Sequence, residues 1–324
     1  MYERLGVVEL KGGEKVEAGV VIGPDPQWAD RVCDLLSHKG EVWAWGNAEC
    51  LRQNLGIDVR YYVLHRDGVP FANIMTVSHY GVGHFGHVYT VPEDRRQGAA
   101  SSLMSLLMED FRQRHGQALF LGTGFDSAPY HIYHAEGFRG LEPESGLMEY
   151  YAASGETFRA GWFAQGPVEV RSASWENWPT SAPLFTGAFP GTVRCAPLRM
   201  FGRVSTEGGW LHLLHDDSRQ GRVLVRPETG AVVGAAVAGE HPLWPDTGLL
   251  DVYCHPAFWD YGTEILGALD LSQKNSWLAV SDDGCPDKDA VLAAGGFTST
   301  GQAAGRVAVD TRRTRMADVT EWEM

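Results

Sequence analysis

The sequence predicts a mixed α/β protein of the α+β class, built as two tandem domains at residues 1–155 and 156–324. Three observations predict it. The chain has 324 residues, enough for two domains of ordinary size. An alternating run, Phe85 to Val91, passes through a turn of charged and small residues into an apolar helical pattern at Leu103, Leu106, Leu107 and Phe111, so strand, turn and helix follow one another. The same order then returns. Tyr89, Pro92 and Gly98 match Tyr253, Pro256 and Gly262 at one constant spacing of 164 residues, and Gly137-Phe138 matches Gly296-Phe297 at 159.

In the first domain residues 17–22 read as a strand, and Pro26 to Leu36 as a helix with Asp25 as its N-cap. Ala48 to Leu55 reads as a second helix. Val59 to Leu64 and Phe71 to Ser78 are strands joined by the turn Arg66-Asp67-Gly68. A glycine-rich connection (Gly81, Gly83, Gly86) leads into the strand that ends at Val91. Leu119 to Thr123 and Met148 to Ala152 are the last strands, with a helix around Tyr133 between them. Residues 153–166 read as a connector. In the second domain Val168 to Arg171, Arg222 to Val225, Ala231 to Val237, Leu249 to Cys254 and Trp277 to Val280 read as strands, and Thr263 to Leu271 and Asp287 to Ala294 as helices.

A hydrophobic content of 44% is that of a soluble globular chain. No apolar run reaches 18 residues, so no membrane partner is expected. The start, Met1-Tyr2-Glu3-Arg4, lacks the basic and apolar regions of a signal peptide. Five scattered cysteines without a CxxC pair read as reduced thiols of a cytoplasmic protein, with no metal site. A net charge of −14 argues against nucleic acid as a partner and is compatible with cationic amines.

The stretch Val91-Pro92-Glu93-Asp94-Arg95-Arg96-Gln97-Gly98-Ala99-Ala100-Ser101 carries the most chemistry. The free N–H groups of a first helical turn, reinforced by the helix dipole, bind anions. Small residues at 98 to 100 let the backbone approach a pyrophosphate. The spacing Arg95-x-x-Gly98-x-Ala100 resembles the acetyl-CoA loop of the GNAT superfamily of N-acyltransferases, Gln/Arg-x-x-Gly-x-Gly/Ala. A second stretch, Asp126 to Phe138, resembles another motif of that family. Tyr133, Gly137 and Phe138 match it, whereas Asp126 stands where Asn is usual and Pro129 where Ala is usual.

The resemblance implies that each domain is a twisted, mixed, mostly antiparallel sheet flanked by helices. It implies acetyl-CoA as acyl donor, no metal, and direct attack by an amine on the thioester. Backbone groups of Tyr89, Thr90 and Val91 would hold the pantetheine. Arg95 and the amides of Arg96, Gln97, Gly98, Ala99, Ala100 and Ser101 would hold the pyrophosphate, with Asp126 beside the donor. Tyr133 would protonate the departing sulfur. The base that frees the amine is sought among His84, His87, Glu93 and Asp126, of which His87 and Glu93 are carried forward. Strand alternation places residues 85, 87, 89 and 91 on one face and 84, 86, 88 and 90 on the other, so His84 and His87 should face opposite ways. His131 and His134 are expected at the surface.

The second domain departs from the motif. At the aligned positions Trp259 replaces Arg95, Glu264 replaces Ala100 and Leu292 replaces Tyr133. A carboxylate where phosphate should sit repels it, so this copy reads as degenerate, with its old mouth filled. Eight of the eleven Trp lie after residue 160 and are expected in its core. The expected function is an acetyl-CoA-dependent N-acetyltransferase acting on a primary amine of a small molecule, as a monomer or homodimer. The alternatives are a non-catalytic acyl-CoA-binding or regulatory protein and an acetyltransferase of a protein amine.

Overall fold

The structure, a computed structural model, describes residues 1–309 and 314–324. The chain divides into two compact units, Met1–Phe158 and Arg159–Met324. Both are mixed α/β: a sheet of eight strands in the first and one of seven in the second, each with antiparallel pairs, one parallel pair and flanking helices.

The first unit runs β1 (Tyr2–Glu9), β2 (Lys15–Ile22), α1 (Pro26–Leu35), α2 (Glu41–Arg52), β3 (Asp58–Arg66), β4 (Val69–His79), β5 (Val82–Thr90), α3 (Ala99–Gln113), β6 (Ala118–Gly122), α4 (Ala128–Ala135), β7 (Arg139–Gly140) and β8 (Leu147–Tyr151). Its sheet order is β1-β2-β3-β4-β5-β6-β8-β7. The Asp25 carboxylate caps α1 by accepting the Gln27 and Trp28 N–H groups at 3.0 and 3.2 Å. α3 buries Leu103, Met104, Leu107, Met108 and Phe111 against Tyr62, Ile74 and Phe85 of the sheet. Each such side chain contributes about 1.5–3 kcal/mol of burial.

Several sequence expectations shift. β1 was not foreseen, because it lies at the sheet edge with mostly exposed side chains and so has no buried period to read. The second helix is Glu41–Arg52 instead of 48–55; an acid in its first turn and a base in its last suit the helix dipole. Gly83 and Gly86 are inside β5, not in a connection. A Cβ at Gly83 would stand 1.9 Å from the Val77 carbonyl oxygen, so only glycine fits there. The expected connector holds α5 (Gly155–Trp162), which starts where the Ser154 hydroxyl accepts the Thr157 N–H at 3.0 Å.

The second unit contains β9 (Glu169–Ser172), α6 (Asn177–Thr186), β10 (Val193–Cys195), β11 (Met200–Phe201), α7 (Glu207–His215), β12 (Gln220–Arg226), β13 (Ala231–Glu240), β14 (Thr247–Cys254), α8 (Gly262–Gly267), β15 (Ser276–Asp282), α9 (Pro286–Ala294), β16 (Thr298–Ala308) and β17 (Met316–Glu323). Its main sheet is ordered β16-β17-β15-β14-β13-β12-β9. Read from β9, this repeats the order from β2 to β7 of the first sheet, with β14 and β15 as the parallel pair in place of β5 and β6. Trp162, Trp178, Trp210, Trp259, Trp277 and Trp322 are buried, as expected, whereas Trp244 is exposed.

In this unit a segment of the chain bridges β14 and β15 beyond their three parallel rungs. The buried Asp282 carboxylate accepts the Thr192 and Val193 N–H groups at 2.8 and 2.7 Å. Asp251 accepts the Ala196 N–H at 2.7 Å and pairs with Lys288, which donates to the Val193 carbonyl at 3.1 Å. The Tyr253 hydroxyl donates to the Pro190 carbonyl at 3.0 Å. Side-chain carboxylates thus take over hydrogen bonds that a neighbouring strand would make.

Among the described residues no helix is long and apolar enough to cross a membrane. None of the five cysteines is disulfide-bonded.

Candidate functional site

β5 and β6 pair in parallel only through Val82, Gly83 and His84 against Ala118, Leu119 and Phe120. Beyond these rungs β5 stays with β4 and β6 with β8. The far end of β5 and the start of α4 border a cleft of about 450 Å³. Its lining includes Val88, Tyr89 and Thr90 of β5, Asp94, Arg95 and Arg96 of the loop, and the α3 start from Gly98 to Ser101. Lys11 reaches it from the β1–β2 turn, and Ala128, Pro129 and Ile132 from α4.

The α3 N-terminus is open towards this space. Gly98 is its N-cap with φ 88°, a left-handed conformation that side chains disfavour. No side chain caps the helix and its first turn holds no acid. The Ser102 N–H makes the first bond back, to the Gly98 carbonyl at 3.0 Å. The amides from Gly98 to Ser101 precede it and have no partner within the helix. Together with the dipole they suit an anion.

A β-bulge shapes the strand. Tyr89 lies opposite Asn73 but Gly86 lies opposite Met75, so β5 carries one extra residue. His87 sits in it with φ 52°, and the Asn73 amide nitrogen donates to the His87 carbonyl at 2.9 Å. The extra residue overturns the simple alternation. Phe85 packs in the core edge-on to Tyr133, whereas His87 meets Trp43 and Tyr89 stacks on His38 at 4.0 Å. Residues 84, 86 and 89 lie opposite 77, 75 and 73 and so share a face. Burial first, then the charges of Lys39 and His38, lower the His87 pKa to about 3.

The other expected site residues are placed unevenly. Tyr89, Thr90, Arg95, Arg96, Gly98, Ala99, Ala100 and Ser101 border the cleft, while Val91, Gln97, Glu93, His87, Asp126 and Tyr133 are not part of its lining. Arg95 turns back, its Nε donating to the Thr90 carbonyl at 3.1 Å. Glu93 is exposed in a single 3-10 turn, Pro92–Asp94. Asp126 is exposed and pairs with His131 at 3.0 Å. His131 and His134 are exposed. The Tyr133 ring is buried against Phe85 at 4.9 Å, and burial raises its hydroxyl pKa.

Two contributors escaped the sequence reading. Arg66 on β3 holds Asp94 by two hydrogen bonds, at 2.7 and 3.0 Å, and its partnership keeps the Asp94 carboxyl below its ordinary pKa. The Lys11 N–H donates to the Gln97 carbonyl at 3.0 Å. Both come from distant sequence, and no motif near the loop announces them. Among the described residues no cluster of three or more His, Cys, Asp or Glu could hold a metal.

At the corresponding place in the second unit Gly262 is right-handed, with φ −59°. α8 has six residues with Glu264 in its first turn, and Trp259 is buried. Leu292 is buried where its carbonyl accepts the Phe297 N–H at 3.0 Å, as the Tyr133 carbonyl accepts that of Phe138 at 3.1 Å.

No protein-family model matches the chain, and no curated protein matches it. Solved structures do. An N-acetyltransferase from Staphylococcus aureus Mu50 is similar at 15% identity and a TM-score of 0.40, covering 49% of this chain and 98% of that one. A putative acetyltransferase from Salmonella typhimurium, solved with its cofactor acetyl-CoA, is similar at 19% identity and a TM-score of 0.38, covering 49% and 94%. A ribosomal-protein-S5-alanine acetyltransferase from Vibrio fischeri is similar at 15% and 0.37, covering 50% and 94%.

Proposed function

We propose that the first unit is a GNAT-type N-acyltransferase domain that takes acetyl-CoA as donor and a primary amine of a small molecule as acceptor, and that the second unit is a degenerate tandem copy. The observation that carries this reading is the uncapped α3 N-terminus, with left-handed Gly98, opening into the cleft bordered by the far end of β5 and the start of α4. The cradle fits a pyrophosphate, because backbone amides face it and no acid occupies the first turn of α3.

Bound acetyl-CoA would supply an activated carbonyl on a thiol leaving group. The amides of Gly98 to Ser101 and the Arg96 side chain would hold its phosphates. The end of β5, turned by the bulge, would offer peptide groups to the pantetheine. Tyr133, a phenol that is protonated at neutral pH and whose pKa burial raises further, would carry the proton that the departing sulfur needs. Of the two base candidates, His87 has its basicity suppressed by burial. Glu93 is solvent-exposed and would act through water.

The reading is tested by calorimetry with acetyl-CoA and turnover against a panel of amines. One site per chain, lost in Gly98→Glu, is expected. Two equal sites, or binding retained in that variant, would refute it. The burial of the Tyr133 ring favours a second reading, a non-catalytic acyl-CoA-binding protein. That reading is selected if acetyl-CoA binds and no amine in the panel is acetylated.

A further inference from the structure

The β1–β2 hairpin has no counterpart in the second sheet, whose order otherwise repeats the first from β2 onwards. Its turn is fastened to the loop before α3 in two places. The Lys11 N–H bonds the Gln97 carbonyl at 3.0 Å. Arg66 spans Glu14, at 2.6 and 2.7 Å, and Asp94, at 2.7 and 3.0 Å. These ties hold Lys11 over the helix start. Its Cγ and Cε lie 3.8 and 3.9 Å from where a Cβ on Gly98 would stand.

The cations of this region are unequally committed. Arg66 is engaged by two carboxylates and Arg95 by the Thr90 carbonyl, while Arg96, which lines the cleft beside the α3 amides, is the side chain already given to the pyrophosphate. Lys11 lines the cleft, is exposed, and makes no ion pair among the described residues. Coenzyme A carries a pyrophosphate and, on its ribose, a separate 3′-phosphate. The amides and dipole of α3, with Arg96, can serve the first. They leave no donors for the second, which is multiply charged and suits a long, mobile ammonium at the rim.

We infer that Lys11 binds the 3′-phosphate and makes the cleft selective for coenzyme A over 3′-dephospho-coenzyme A. This rests on reading the cleft as an acyl-CoA site. The residue lies outside the loop motif and is delivered by an element that the second unit lacks.

Calorimetry with both ligands tests it on the full-length wild type, Lys11→Ala and Lys11→Arg, with melting temperatures as the folding control. A charge-assisted contact at an exposed rim should favour coenzyme A by about fivefold to tenfold in the wild type. Lys11→Ala should bind both ligands as the wild type binds the dephospho form, and Lys11→Arg should keep the preference. If Lys11→Ala keeps it, or weakens both ligands equally, the assignment is overturned. Wild type that binds both ligands equally also overturns it, while leaving the acyl-CoA reading intact. Wild type that binds neither overturns the acyl-CoA reading itself.

Discussion

Two side chains next to the cleft behave unlike their free amino acids because of where they are packed. Tyr133 sits edge-on to Phe85, and burial raises its hydroxyl pKa above the ordinary value. Tyr133→Phe should leave the acetyl-CoA Kd nearly unchanged and lower kcat by roughly 10- to 10⁴-fold, the span expected for a general acid with some relief by water. An unaltered kcat would make it a packing residue. His87 has a folded pKa of about 3, below the ordinary 6.5, because it is buried. The unfolded chain therefore binds the extra proton between those values. The stability contributed by keeping this imidazole neutral is full above pH 6.5 and is lost as pH falls towards 3. Melting temperature followed down this window should decline less steeply in His87→Gln than in wild type, and parallel slopes would contradict the assignment.

The loop and α3 show how an element can be readable in sequence while its use is not. The sequence marks a helix start at Gly98, and the structure adds that φ is 88° and that nothing caps the end. A Cβ there meets nothing closer than Lys11 at 3.8 Å, so the penalty of Gly98→Ala is conformational. It should cost about 1–2 kcal/mol in denaturant unfolding and weaken acetyl-CoA binding. A neutral effect on both would contradict the left-handed cap. α1 is the opposite case, an end closed by its own residue. Asp25→Ala removes the acceptor of the Gln27 and Trp28 N–H groups and should destabilise by about 1 kcal/mol, measured by the same unfolding curves.

Across the whole chain, two sheets that share one strand order from β2 onwards end in different fates at their one parallel pair. In the first the far end of β5, the loop before α3 and the start of α4 border a cleft. In the second Tyr253, Asp251, Asp282 and Lys288 bind the segment from Pro190 to Ala196. The Lys288–Asp251 pair is fully buried. Lys288→Met alone should therefore cost about 3–5 kcal/mol by stranding a buried charge, and Lys288→Met with Asp251→Leu should recover much of it. Equal losses in the single and double variants would contradict a stranded charge as the cause. The sequence by itself determined the strand and helix order around the loop, the Asp25 cap, the recurrence of Tyr89, Pro92 and Gly98 as Tyr253, Pro256 and Gly262, and the presence of Trp259 and Glu264 where that spacing would put Arg95 and Ala100. These are local patterns, carried by side-chain period, turn residues and spacing. Only the tertiary structure decided the bulge that turns His87 away from Phe85, the edge strand β1, and the approach of Lys11 and Arg66 to the loop. Each of these depends on residues far apart in the chain meeting across a sheet, and such pairings leave no period in the sequence of either partner.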